Sequence, residues 1–74
     1  MAYQFTVIIE PDENEFHAYV PSLSGCHSFG KTIEEAKKNI IEAIQLHIES
    51  MQKDGESIPV EQEPTFITRL SVPA

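Results

Sequence analysis

The sequence predicts an α+β fold of order β-β-β-α-β, an antiparallel sheet with one long helix on one face. Three observations carry this reading. Apolar residues alternate with period two near the N-terminus, the spacing switches to a helical one at Ile33, and strand-like composition returns at Thr65. The 74 residues are read as a single domain, 1–74.

The opening YQFTVII places Tyr3, Phe5, Val7 and Ile9 on one face and Gln4 and Thr6 on the other, as in a half-buried strand. The polar, proline-bearing EPDENE that follows is the expected hairpin connection. FHAYV resumes the alternation, with Phe16, Ala18 and Val20 on one side and His17 and Tyr19 on the other. PSLSG turns the chain, and Cys26–Phe29 forms a short third strand.

Thr32 and Glu35 are spaced as a capping box. The threonine hydroxyl serves one orphan amide at the helix start, and the glutamate reaches back to another. Glu34 and Glu35 also lie at the positive end of the helix dipole. Ile33, Ala36, Ile40, Ala43, Ile44, His47, Ile48 and Met51 then form an apolar stripe. Glu35, Lys38, Glu42, Gln45, Glu49 and Gln52 lie opposite. Lys53 and Gly55 supply the stop signal. IPVEQEP, with Pro59 and Pro64, reads as a linker. Thr65–Val72 reads as the last strand, with Phe66, Thr68, Leu70 and Val72 on one face and Ile67 and Arg69 on the other.

One helix covers one sheet face, so Ile8, Tyr19, Phe29 and Ile67 are expected on an open second face. An apolar group there suggests a dimer or a partner. A chain this short buries only about 60–65% of the surface its unfolded form exposes, which also favours assembly.

Composition narrows the function. The formal charge is −7, and the basic residues are five: Lys31, Lys37, Lys38, Lys53 and Arg69. They make no phosphate-neutralising stripe, so no direct nucleic-acid binding is expected. An acidic domain attracts basic partners. The single cysteine has no disulfide partner within the chain, and no signal peptide is read, so a reducing cytoplasm is expected. No apolar run approaches the roughly 20 residues of a membrane span.

Catalytic chemistry finds little support. Cys26 needs a base, and its neighbour His27 points to the opposite face of a strand, so a buried packing thiol is the better reading. The three histidines and the cysteine are scattered singly, without zinc-type spacing, and His47 reads as a half-buried packing residue. Carboxylate-based two-metal hydrolysis needs acids converging from strands and helix. Glu10 ends the first strand here, while Asp12, Glu13 and Glu15 lie in the loop. No catalytic, metal or cofactor residue is expected.

The run V-P-x-L-x-G-C-x-x-x-G-x-T-x-E-E-A, here Val20, Pro21, Leu23, Gly25, Cys26, Gly30, Thr32, Glu34, Glu35 and Ala36, resembles the HicB-like antitoxin family. The similarity extends over nearly the whole chain. The resemblance implies a partial ribonuclease H-like fold without its catalytic carboxylates. It also implies a partner, a small basic HicA-type toxin that cleaves messenger RNA. Charge complementarity suits that pairing. Many relatives add a C-terminal DNA-binding domain, which is not read in this chain, so promoter binding by this polypeptide is not expected. Lys31 stands where the family commonly has an acid, reversing that charge.

The function expected from sequence is therefore a non-enzymatic antitoxin that binds and neutralises such a toxin. Asp12, Glu13, Glu15, Tyr19 and Phe29 are the candidate partner-binding residues. The alternative is an orphan homo-oligomerising domain, a homodimer or higher oligomer. Its interface would be Phe66, Ile67, Thr68, Arg69 and Leu70, pairing with the same strand of a second copy.

Overall fold

The computed structural model describes residues 3–61 and 66–73. Its elements are β1 (Ile8–Asp12), β2 (Glu15–Tyr19), β3 (His27–Gly30) and α1 (Ile33–Lys53). The strands form one antiparallel sheet in the order β1-β2-β3.

The first hairpin is tighter than its polar sequence suggests. The ladder runs from Ile8↔Tyr19 to Asp12↔Glu15, so only Glu13 and Asn14 remain for the turn. Glu13 takes the left-handed backbone, φ 57. Pro11 lies inside β1, where its missing N–H is tolerated because β1 is an edge strand. The expected strand over Tyr3–Ile9 is thus displaced toward the turn, and Tyr3–Val7 run outside the ladder. Phe5, Val7 and Ile9 still pack on the core, as their alternation indicates.

Two consecutive tight turns join β2 to β3. Leu23 N–H donates to the Val20 carbonyl at 3.1 Å, with Pro21 at the second position. Cys26 N–H donates to the Leu23 carbonyl at 3.1 Å. Gly25 occupies the third position of that second turn with φ 79, the positive φ that type II turns reserve for glycine. A Val20 N–H bond to the Cys26 carbonyl, 3.1 Å, closes the loop. This geometry drives Leu23 and Cys26 into the core.

α1 begins at the capping threonine. Glu35 N–H donates to Thr32 Oγ1 at 3.0 Å, and Glu35 Oε1 accepts from the Lys31 N–H at 2.8 Å, one residue before the usual box partner. At the far end, Glu56 N–H reaches the Met51 carbonyl (2.9 Å) and Gly55 N–H the Gln52 carbonyl (3.2 Å), a Schellman closure. The core comprises Ala18, Val20, Leu23, Cys26, Ala36 and Ile40, with Ala43, Ile44 and Met51 packed at its margin. Ile33, placed on the apolar stripe by its spacing, is instead 50% exposed.

The expected last strand is not formed. Thr65 lies outside the described residues, and Phe66–Val72 carry no strand and are exposed, Phe66 at 87% and Leu70 at 82%. Alternation reports a segment's fitness for a pleated, half-buried surface, and among the described residues no strand pairs with this segment. The described fold is therefore β-β-β-α.

Candidate functional site

α1 covers one face of the sheet and leaves the other open. The register sets which side chains stand there: Ile8, Glu10 and Asp12 from β1, Glu15, His17 and Tyr19 from β2, and His27 and Phe29 from β3. Phe16 and Ala18 point the other way, toward the helix.

The open face has an ordered aromatic centre. The His17 ring stacks on Phe29 at a centroid distance of 4.7 Å and on Tyr19 at 5.5 Å. His27 meets His17 edge-on, with planes at 81°. His17 Nε2 lies 3.3 Å from His27 Nδ1, and His17 Nδ1 lies 4.0 Å from Glu10 Oε1. Histidines that sequence spacing leaves scattered are thus brought together as diagonal cross-strand neighbours. Their shared parity with Tyr19 and Phe29 was the signal available in the sequence.

An acidic end adjoins this centre. Asp12 and Glu15 are directly opposite in the ladder and share the open face, so two carboxylates crowd the hairpin end. With Glu13, Asn14 and Lys31 they line a cleft of about 380 Å³. Lys31 therefore stands beside these acids. All four acidic-end residues, Asp12, Glu13, Asn14 and Glu15, are exposed.

Of the five expected partner-binding residues, Asp12, Glu13 and Glu15 lie at the hairpin end, while Tyr19 and Phe29 lie further along the open face, with Tyr19 at the far end of the β1–β2 ladder. Ile67 is not part of this face. Phe66–Leu70 stand apart from the sheet, exposed and unpaired among the described residues.

Cys26 is 4% exposed, among Ala18, Val20 and Leu23, and burial pushes its thiol above the ordinary value. A buried, protonated thiol is a packing group, and the neighbouring His27 turns to solvent. Sequence reasoning also missed a clasp in the apparent linker. Glu61 Oε2 accepts from the Thr6 N–H (2.7 Å) and from Ser22 Oγ (3.1 Å), and Glu61 Oε1 accepts from Thr6 Oγ1 (2.6 Å). These bonds, led by the one from the Thr6 hydroxyl, hold the Glu61 carboxyl below its usual range.

Residues 5–71 match the HicB-like antitoxin of bacterial toxin–antitoxin systems. The chain belongs to the HicB-like antitoxin family. A UPF0150 protein of Synechocystis is 47% identical over 71 residues, covering 95% of this chain and 87% of the relative. A UPF0150 protein of Thermoplasma acidophilum is 49% identical over 57 residues, 76% of this chain and 83% of the relative. The crystal structure of the N-terminal domain of Burkholderia pseudomallei antitoxin HicB superposes with a TM-score of 0.68 at 33% identity. That match covers 81% of this chain and 72% of the other. The three-stranded sheet followed by one long helix is accordingly the arrangement of a HicB N-terminal domain. No described helix of this HicB-like chain is long and apolar enough to cross a membrane.

Proposed function

We propose that this chain is a non-enzymatic, cytoplasmic antitoxin-like protein that masks a small basic messenger-RNA-cleaving toxin of the HicA type. One observation carries the reading: the sheet register places the aromatic pair Tyr19 and Phe29 on the same open face as Asp12 and Glu15. An apolar centre beside an acidic rim is the arrangement that anchors and orients a basic protein surface. Residues 1–74 are taken as one domain, and the β-β-β-α order as the portion of a ribonuclease H-like fold that lacks converging catalytic acids.

Co-expression with the small basic protein encoded beside it tests the proposal. A stable complex and relief of growth arrest are expected. Replacing Asp12, Glu13 and Glu15 together by lysine should weaken both, chiefly by slowing association and inverting the salt dependence. Retained binding by that variant and by Tyr19→Ala/Phe29→Ala would remove this face from the interface.

The exposed apolar tail supports a second reading, assembly of copies through Phe66–Leu70. Multi-angle light scattering of the chain alone addresses it. A dimer or larger species that Phe66→Ser/Leu70→Ser converts to monomer is the outcome this reading requires.

A further inference from the structure

The open sheet face also brings two histidine rings together among its aromatic side chains. His17 Nε2 and His27 Nδ1 face each other at 3.3 Å. Two Zn–N bonds of about 2.0–2.1 Å meeting at a tetrahedral angle span about 3.3–3.4 Å between their nitrogens. The two rings are therefore already spaced as a pair of ligands to one ion. We propose that His17 and His27 form a two-histidine chelate for a zinc-class divalent cation on the outer face of the sheet.

Three further contacts favour this assignment. His17 is held between Phe29 and Tyr19, so its ring pays little conformational entropy on binding. Glu10 stands 4.0 Å from His17 Nδ1, on the side away from His27. At 4.0 Å it makes no hydrogen bond, but its negative charge favours a proton on the facing Nδ1, which leaves the Nε2 lone pair free for the ion. His27 is exposed and can carry its own proton on Nε2, toward solvent, freeing Nδ1. In the absence of metal the same nitrogens share one N–H···N hydrogen bond. Metal entry replaces that bond through a tautomer change at His27, with no net loss of a proton.

Imidazole pairs suit zinc, copper and nickel over magnesium or calcium. Among the described residues no group of three or more His, Cys, Asp and Glu is arranged around one ion. Two protein ligands leave the remaining coordination positions to water, an open and exchangeable site.

The experiment is a titration of the untagged, metal-free chain with zinc chloride, followed by calorimetry and by imidazole carbon–proton NMR. One zinc per chain is expected, with His17 and His27 ring resonances shifting together and those of His47 unmoved. His17→Ala and His27→Gln should each weaken binding at least tenfold, and Glu10→Gln by less. The wild-type spectra identify the ligands whether or not a variant folds. No heat and no ring shift up to millimolar zinc overturns the proposal. So does a shift confined to His47, or unchanged affinity in both folded histidine variants.

Discussion

Gly30, at the end of β3, lies directly against the backbone of Ala36 in the first turn of α1. A Cβ at Gly30 would come within 2.8 Å of both Ala36 Cα and the Glu35 carbonyl carbon, and closer still to the Ala36 nitrogen. Backbone cannot yield as a flexible side chain does. Gly30→Ala should therefore cost at least about 1–3 kcal/mol, the usual range for overpacking. In a domain of this size each kcal/mol lowers the melting temperature by about 4–8 °C. An unchanged thermal midpoint would show that strand and helix separate easily.

Cys26 makes the complementary point about the interior. Its side chain is buried among small apolar groups, so Cys26→Ser places a hydroxyl where a weakly polar thiol sat. A destabilisation of about 1–3 kcal/mol is expected in urea unfolding, and Cys26→Ala should cost less. Burial raises the folded thiol's pKa, so its contribution to stability is fully present below the ordinary thiol range. That contribution falls as pH rises through the folded value. Alkylation in native buffer should accordingly be slow and should accelerate on unfolding. Rapid native labelling would contradict the packing role.

The helix start offers a cleaner measurement. Thr32 Oγ1 accepts the Glu35 N–H, and the Glu35 carboxylate accepts the Lys31 N–H. Thr32→Ala removes the first bond without touching the core and should cost about 1 kcal/mol. Thr32→Asp should restore most of it. If alanine were harmless, the cap would be redundant with the packing of Ala36 and Ile40.

What could be read from the sequence follows a physical division. The capping threonine, the Ile40–Ile44 stripe, Gly55 and the inward set Phe16, Ala18 and Val20 are set by local spacing, and all appear in the structure. Strand boundaries depend on pairing. Pro11, Asp12 and Glu15 read as loop residues, yet pairing places the first two in the edge strand β1 and Glu15 in β2. Phe66–Val72 show the reverse case, a segment with strand alternation and nothing in the described chain to pair with. For the site, Tyr19 and Phe29 could be assigned to an open face from parity alone. The His17–His27 approach required the register between β2 and β3, which no single-strand pattern contains.

Glu61 depends most on long-range placement, since it joins the chain beyond the helix to Thr6 and Ser22. Its folded pKa is lowered, chiefly by the bonds from the Thr6 hydroxyl and amide and further by Ser22. The sign follows directly. The clasp stabilises above the carboxylate's ordinary range and is lost as pH falls through the lowered folded value. Glu61→Gln keeps one acceptor oxygen and substitutes an NH₂ for the other, so it cannot serve all three donors. Amide hydrogen exchange at Thr6 reads this out, with wild type protected near neutral pH and Glu61→Gln exchanging faster there. Once exchange is corrected for its intrinsic acid dependence, wild-type protection should disappear only below the ordinary carboxylate range. Equal protection in both proteins at neutral pH would mean that Glu61 rests against the N-terminal segment without holding it.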